Sequence, residues 1–533
     1  MAGKGEGVDE ERTPVIVGVG QVNDRPERAE DGLDPVALMA EALRRADADA
    51  GDGWLADCDS LAVVSQLAWP QLNPVDGKLA DALGIDPAHH EQTAKPNGDS
   101  PIRLLNEAAN RIGAGEATIC AVVGGEALRT AAAQSRPDAL RAAPHRDHVS
   151  YAARHGLVVP VDVYPLYENA GRAARGETLA EGQAESGMLW AGMSAVAAAC
   201  EHAWLRQAVS AAEVIAPGER NRPIAFPYTK LQVANSAVNQ GAGFLVASLA
   251  EARRRGVDEK RLIFVGHGAS AREDEDFLRR DSYAASSSLA VSIERCLELN
   301  RIDAVQLDHV ELYSCFPCVP KLARRVLDWP LDRPITVFGG LTFGGGPIGN
   351  YMSHAVACMV EKLRESSGAR EARGLLFANG GYATHNHTIL LSNRPTGATF
   401  PQNYDCQAEA DARRGEIPPV HEDYLGPATL ETWTVHFDRA GSPRSGTVVA
   451  RTPEGARTLA TVSRENAACL AHMTDAVAKL VGSAGRIAGS RRAALLDLRI
   501  ENPIWHFLLD KQSDFATELS SRFDGGLFDI VRF

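Results

Sequence analysis

Apolar and polar positions along the first 130 residues predict strands that alternate with helices. The runs "PVIVGVGQ" at 14–21 and "SLAVVSQL" at 60–67 have the length and the Val and Ile content of buried strands. Residues 34–51 carry apolar side chains at helical spacing, start with Asp-Pro and end at a Gly. Helix 101–113 and strand 118–124 continue the alternation. This order predicts an α/β fold, a parallel sheet with helices on its faces.

The same order returns later in the chain. Residues 287–300 predict an amphipathic helix, and 304–316 contain a strand that runs into a polar turn. Residues 346–366 predict a Gly turn and a long helix, and 372–392 a strand, a Gly pair and a second strand. We interpret the two sets as diverged copies of one α/β unit. A helical insertion at about 130–220 separates them, and we expect either a substrate lid or a packed cap there.

The composition changes after residue 400. The runs "TLETWTVHF", "GTVVARTP" and "ARTLATVS" alternate in part and are broken by Gly or Pro, which predicts a small β domain. The tail around Trp505, His506 and Phe507 is aromatic and is expected to dock. The predicted domains are therefore an N-terminal half at 1–255 with the insertion, a C-terminal half at 256–397, and a β domain at 398–533.

Composition and charge exclude several classes. The 533 residues are 45% hydrophobic with a formal charge of −14, which argues against a nucleic-acid surface. No apolar run approaches the roughly 18–20 residues of a membrane helix, and the polar N-terminus favours the cytoplasm. Nine scattered cysteines do not form a disulfide framework. Cys315 and Cys318 lack the second ligand pair of a zinc site, so no metal is expected.

Residues 95–127 have the shape of a nucleophile site: a tight turn, a helix, a Gly turn and a buried strand. Asn97, Gly98, Asp99 and Ser100 stand where a helix N-terminus would present a reactive group. None of them is a Cys. Ser100 before Pro101 is typical of a helix cap, and no neighbouring residue supplies the base that a nucleophilic Ser needs.

These ordered motifs, over about residues 13–395, resemble the thiolase superfamily, and the added β domain resembles that of thiolase-like proteins of type 1. The resemblance implies two similar halves in a five-layered α/β/α/β/α core, followed by an OB-like β-barrel domain. By resemblance, the nucleophilic Cys position falls at Gly98, the first His at Tyr313, the Gly-His-Pro His at Gly346, and the second Cys at Ala378. Ordinary thiolase activity is therefore expected to be absent.

Polar groups nevertheless remain at the strand ends. Tyr313 would serve as an acid or base if its pKa were lowered, and the pKa of a His such as His385 lies near neutrality without help. Cys315 is a candidate nucleophile or a buried thiol. The predicted catalytic residues are Tyr313, His385 and Cys315, and the predicted substrate-binding residues are Gly98, Ser100, Gly346, Asn379, Gly380 and Gly381.

The resemblance also implies a ligand and a partner. Coenzyme A thioesters are the expected substrates, with no tightly bound cofactor. Arg220, Arg222 and Lys230 are candidates for the coenzyme A phosphates, although basic loop residues are usually only solvated. Thiolases dimerise, by resemblance through an edge strand near 118–124, and the added domain could obstruct such a homodimer.

Three functions are consistent with the sequence. The first is an acyl-thioester enzyme that works without the usual cysteines, either as an acyltransferase or in carbon–carbon bond chemistry. Some thiolase-fold aldolases cleave β-hydroxyacyl-CoA, lack the nucleophilic Cys and carry a Tyr where thiolases have a His, which makes a retro-aldolase the specific form of this hypothesis. The second is a non-catalytic acyl-CoA binder, and the third is an interaction protein on a retired scaffold.

Overall fold

The computed structural model describes residues 9–134, 150–490 and 493–498. The predicted docking tail around Trp505 lies outside the described residues. The strands up to residue 392 are β1 (Pro14–Asn23), β2 (Ser60–Val63), β3 (His89–Gln92), β4 (Ile119–Ala127), β5 (Pro223–Ala225), β6 (Tyr228–Thr229), β7 (Asn239–Ser248), β8 (Ile263–Arg272), β9 (His309–Leu312), β10 (Arg373–Gly380) and β11 (His385–Ser392).

The helices of the same region match most of the predicted positions. The long helix of the predicted insertion spans Leu179–Ala199. The helices are α1 (Pro35–Ala50), α2 (Asp76–Leu83), α3 (Ser100–Ala114), α4 (Leu128–Gln134), α5 (Tyr151–Arg154), α6 (Pro160–Ala174), α7 (Leu179–Ala199), α8 (Ala211–Ile215), α9 (Leu249–Arg254), α10 (Ser287–Leu299), α11 (Cys318–Val326) and α12 (Tyr351–Ser366).

The two halves repeat one strand order. In the first half the order is β3-β2-β4-β7-β1, and in the second it is β9-β10-β11-β8. In both, the parallel pair (β2 with β4, β9 with β10) is followed by two antiparallel pairs. The interpretation as two copies of one unit agrees with this match.

The expectation of a purely parallel sheet is wrong. β10 and β11 are joined by only residues 381–384, and so short a connection forces antiparallel neighbours. The edge-strand expectation for 118–124 is also wrong, because β4 lies between β2 and β7. The strands at the ends of the sheet order are β3 and β9.

Helices form layers outside and between the two sheet halves. α1 packs on β1, β4 and β7, and α10 packs on β8 and β11. α3 and α12 contact each other and strands of both halves, so they form the central layer. The close approach of α1 needs glycine on β1: a Cβ on Gly18 would lie 2.1 Å from the Ala46 carbonyl oxygen. The five-layered thiolase-type core is confirmed.

A small sheet domain follows the core, as predicted. Its elements are α13 (Gln407–Arg413), β12 (Gly426–Phe437), β13 (Pro443–Arg451), β14 (Arg457–Val462), α14 (Ala467–Met473), β15 (Ala484–Ser490) and β16 (Ala493–Leu498). The sheet order is β14-β13-β12-β15-β16, and β5 of the insertion pairs with β12 through Ala225 and His436.

Among the described residues, no helix is long and apolar enough to cross a membrane.

The small sheet domain is docked on the helical insertion by buried polar contacts. The Thr432 hydroxyl donates to the Leu166 carbonyl at 2.6 Å, and the Asn169 amide donates to the Trp433 carbonyl at 2.9 Å. His436 and Asp162, both buried, approach to 3.2 Å. The insertion is therefore held between the core and the sheet domain.

Candidate functional site

The turn Asn97–Ser100 leads into α3 at the centre of the molecule. The Ser100 N–H donates to the Asn97 carbonyl at 3.0 Å, and α3 begins at Ser100 itself. Asp99 therefore holds the cap position, and its side chain makes no capping hydrogen bond. The expectation that Ser100 caps the helix is wrong, because the turn closes one residue earlier.

One side of this turn is filled by protein. A Cβ built on Gly98 would lie 2.2 Å from the Asn379 carbonyl oxygen and 2.4 Å from the Tyr313 hydroxyl oxygen. We call Gly98, Tyr313 and Asn379 the closed side. The structure thus brings Gly98 next to the residue that follows Ala378, well within the roughly 15 Å that a shared pocket allows. It also leaves no room there for a cysteine side chain.

Hydrogen bonds fix the Asn379 and Asn97 side chains. The Asn379 amide donates to Asn386 Oδ1 at 2.9 Å and accepts from the Tyr164 hydroxyl at 3.3 Å. The Tyr164 hydroxyl also lies 3.1 Å from the Gly381 carbonyl. The Gly381 N–H donates to Asn97 Oδ1 at 2.7 Å, which ties the Gly pair after β10 to the turn before α3.

The remaining predicted glycines lie around the same turn. A Cβ on Gly380 would meet Asn97 Oδ1 at 2.3 Å. Gly346 is buried, and its N–H donates to the Asn235 carbonyl at 2.8 Å. Three residues on, Gly349 packs directly on Pro96. Chain segments from both halves therefore converge where the resemblance places the thiolase site.

Burial raises the pKa values of the tyrosine hydroxyl and the two thiols near the closed side. Burial raises the pKa of Tyr313 well above its ordinary value, and Cys315 and Asp99 add to the increase. The lowered pKa on which a base role for Tyr313 depends is therefore not found. Burial also raises the pKa of the Cys315 thiol to about 12 and that of Cys318 above its usual range. Neither thiol has the surroundings of a nucleophile.

An open cavity of about 550 Å³ lies on the other side of the turn. Its wall includes Ser100 and His385 of the predicted site, but not Tyr313, Cys315 or Gly346. The structure therefore divides the predicted residues between two places. The charged and titratable side chains of the open cavity are Lys95, Asp99, Arg103, Arg272, His385, His387, Tyr404 and Asp405.

His385 at the cavity wall is paired with a carboxylate. Its Nε2 lies 2.5 Å from Glu275 Oε1, and Lys95 lies 3.3 Å from the same carboxylate. Burial opposes ionisation of Glu275, but the contacts with His385 and Lys95 outweigh it and lower the pKa of Glu275. Assigning the proton of neutral His385 to Nε2, where Glu275 accepts it, leaves Nδ1 as an acceptor.

Asp99 connects the two sides. Burial raises the pKa of the Asp99 carboxyl, and the nearby His385 opposes that increase. Asp99 in turn contributes to the raised pKa of Tyr313. The sequence places Asp99 at the helix start but gives it no role, and Glu275 has no sequence signal because it is 110 residues from His385 within an ordinary acidic run.

The basic residues proposed for coenzyme A lie elsewhere. Arg220 is exposed, Arg222 and Lys230 are half-buried, and none of the three lines the open cavity. The Lys230 N–H donates to the Arg222 carbonyl at 3.0 Å beside β5 and β6. Their phosphate-binding role stays a prediction.

Comparison with known proteins supports the resemblance. A family model matches residues 406–490; it describes the additional C-terminal domain of thiolase-like proteins of type 1. A monomeric SCP2-thiolase-like protein type 1 from Mycobacterium smegmatis is 29% identical, with a TM-score of 0.78 over 92% of this chain and 99% of that one. No curated protein matches. The resemblance to thiolase-like proteins of type 1 is thereby confirmed.

Two further structures share the fold. A complex titled Ltp2-ChsH2(DUF35) aldolase is 17% identical, with a TM-score of 0.56 over 72% of this chain and 98% of that one. The dimeric peroxisomal thiolase of Saccharomyces cerevisiae is 14% identical, with a TM-score of 0.54 over 72% and 97%. At these identities the likeness concerns the fold alone.

Proposed function

We propose that the protein is an acyl-thioester enzyme that makes or breaks a carbon–carbon bond without an acyl-enzyme intermediate. The observation that carries the proposal is the filled space over Gly98, where Tyr313 and Asn379 exclude a thiol. A thiolase needs a cysteine thiolate at this point. The buried Cys315 cannot replace it, since its pKa is about 12.

A retro-aldol cleavage of a β-hydroxyacyl thioester is the reaction that suits the remaining groups. A base removes the proton of the β-hydroxyl, the Cα–Cβ bond breaks, and its electron pair forms the thioester enolate. An aldehyde or ketone leaves, and protonation of the enolate gives the shorter thioester. The reaction needs a base and a hydrogen-bond donor, but no nucleophile.

The chain offers a candidate for each role. His385 in the open cavity is the base, because Glu275 binds Nε2 and leaves Nδ1 to accept the proton. Tyr313 is the donor, because its raised pKa keeps the hydroxyl protonated to stabilise the enolate oxygen. Asp99 interacts electrostatically with both groups: His385 opposes the rise that burial causes in the pKa of Asp99, and Asp99 adds to the rise in the pKa of Tyr313.

The substrate is proposed to be a coenzyme A thioester, with Arg220, Arg222 and Lys230 as phosphate contacts. The family resemblance and the aldolase with the same fold support the substrate class and the reaction. A cytoplasmic location and a homodimer stay expectations, the second weakened by the description of the Mycobacterium smegmatis protein as monomeric.

The test is cleavage of a panel of β-hydroxyacyl-CoA compounds, with the carbonyl product and the shorter acyl-CoA measured by mass spectrometry. Tyr313→Phe and His385→Ala should each lower kcat by about 100-fold while ligand affinity is nearly unchanged. Tyr424→Phe and His472→Ala, both in the small sheet domain and outside the cavity, are matched controls that should retain wild-type turnover.

A second candidate is a non-catalytic acyl-thioester binder. It is favoured by the absence of Tyr313 from the wall of the open cavity, which His385 lines. Binding of the thioesters with no cleavage of any of them would support the binder and refute the enzyme. Vigorous acetoacetyl-CoA thiolysis would refute both.

A further inference from the structure

Two thiols lie next to each other between the helical insertion and the central helix layer. Cys200 directly follows α7, and Cys358 lies within α12 of the central layer. Their Sγ atoms are 3.9 Å apart although the residues are 158 positions apart in the chain. All nine cysteines lie in the described residues, and all are free thiols.

Hydrogen bonds hold the segments that carry both thiols in place. Beyond Cys200, the N–H groups of Trp204 and Leu205 donate to the carbonyls of Gly344 and Phe343 at 2.9 and 2.7 Å. On the other side, the Gln21 amide donates to Cys358 Sγ at 3.4 Å. The sulfur–sulfur contact therefore lies between two anchored segments.

We propose that Cys200 and Cys358 are a thiol-oxidation site that closes to an intramolecular disulfide, with a low-molecular-weight disulfide such as oxidised glutathione as the oxidant. A disulfide bond is about 2.05 Å long, so the two sulfurs must approach by roughly 2 Å for the bond to form. This site is independent of the proposed acyl-thioester activity.

The reaction proceeds in two exchanges that balance. The Cys200 thiolate attacks one sulfur of the oxidant and forms a mixed disulfide. One thiolate of the small molecule is released and takes up the proton that Cys200 gave up. The Cys358 thiol then loses its proton to solvent and attacks the Cys200 sulfur, releasing the second small thiol. Two protein thiols are oxidised, and one small disulfide is reduced to two thiols.

The surroundings set the order of the two exchanges. Cys200 is half-buried and Cys358 is 3% exposed, so an incoming reagent reaches Cys200 first. The hydrogen bond between the thiols lowers the pKa of Cys200, and the same bond together with burial raises the pKa of Cys358. Cys200 is thus the attacking thiol, and Cys358 resolves the mixed disulfide.

The bond would join the insertion to the helix behind the functional turn. α12 begins two residues after Gly349, which packs on Pro96 next to the closed side. A cross-link between residues so far apart in sequence restricts the unfolded chain strongly. Oxidation should therefore raise the melting temperature, and dithiothreitol should reverse the rise.

The test treats the full-length protein with oxidised glutathione at pH 8, denatures it and titrates the remaining thiols. The count should fall from nine to seven, and tryptic mass spectrometry should find one linked peptide pair containing Cys200 and Cys358. In Cys200→Ser the count should stay at eight with no linked pair. Cys406→Ser, which removes another half-buried thiol, should still form the cross-link.

Nine remaining thiols, a mixed disulfide that never resolves, or a cross-link between other cysteines would each overturn the proposal. Because Cys200 is only half-buried, its replacement by Ser should fold, and the melting temperature of the reduced variant checks that it does.

Discussion

The two sides of the Asn97–Ser100 turn differ in what occupies them: protein atoms fill one side, and the other opens into a cavity. On the closed side, a backbone carbonyl and a tyrosine hydroxyl fill the space over Gly98. In the open cavity, a histidine–carboxylate pair and several cations surround about 550 Å³ of accessible space. The scaffold thus keeps the turn of a nucleophile site, but the carboxylate-paired His385 stands on the open side.

Burial explains the difference in charge. Near the closed side, burial raises the pKa of Glu311 to about 7 even though it accepts hydrogen bonds from Tyr351 at 2.6 Å and Thr336 at 2.8 Å. Arg103 of the cavity wall forms an ion pair with Glu91 at 3.0 Å, and the two side chains are 33% and 27% exposed. Chemistry that needs a charge is therefore expected on the open side.

The largest effect is expected from Gly98→Ala. The added methyl group would overlap the Asn379 carbonyl oxygen at 2.2 Å, and a backbone atom in the sheet cannot move aside easily. We expect a loss of about 3 kcal/mol in the free energy of unfolding, measured by denaturant titration. Adding Tyr313→Phe should not recover the loss, because the ring carbon Cζ would still lie 2.6 Å from the added methyl group.

Gly192→Ala is the matched control. Gly192 lies in α7 with no atom near its Cβ position, so alanine should leave the protein as stable or make it up to about 1 kcal/mol more stable. If Gly98→Ala were as mild as this control, the space over Gly98 would be open and the closed side would not exist.

Most of the fold is predictable from the sequence because its signals are local. The apolar run of β1, the Asp-Pro start and Gly end of α1, and the Gly pair after β10 are each short patterns with one physical meaning. The antiparallel strand pairs were not predicted, because strand direction depends on connection length and on which strands pair. The position of strand 118–124 inside the sheet depends on the same pairing partners.

The site was predicted only in part, for a different reason. Gly98, Tyr313 and Asn379 were placed together correctly, because the family pattern fixes their positions on strand and helix ends. The separation of His385 from Tyr313 depends on which side of a four-residue turn is filled, and Glu275 reaches His385 from a distant segment. Neither fact can be inferred from the order of residues in the sequence.

The pKa of His387 reports whether water reaches the wall of the open cavity. The ring is buried, lies 3.1 Å from Asn106 Oδ1, and burial lowers its pKa to about 3 from an ordinary 6.5. A lowered folded pKa contributes stability above pH 6.5 that is lost as the pH falls towards 3. His387→Gln should therefore flatten the fall in stability by at most about 1.4 kcal/mol per pH unit in this range.

The measurement is the free energy of unfolding of both proteins by denaturant at several values between pH 7 and pH 4. Gln retains a donor for Asn106, so the variant should fold with a small loss at pH 7. Parallel pH profiles would mean that water reaches the ring, and that the cavity wall is as solvated as its centre.

The smallest effect on stability is expected from Glu275→Gln. The Glu275 side chain is 59% exposed and pairs with His385 and Lys95, and exposed ion pairs contribute little because solvent screens them. We expect a change below about 1 kcal/mol at pH 7, with His385→Ala and the double variant completing a thermodynamic cycle. Turnover in the proposed reaction should fall by about 10-fold, because Gln still accepts from Nε2 but no longer stabilises a protonated ring. A coupling free energy above 2 kcal/mol would show that this pair is held as rigidly as the closed side, and the contrast between the two sides would then be one of shape and not of solvation.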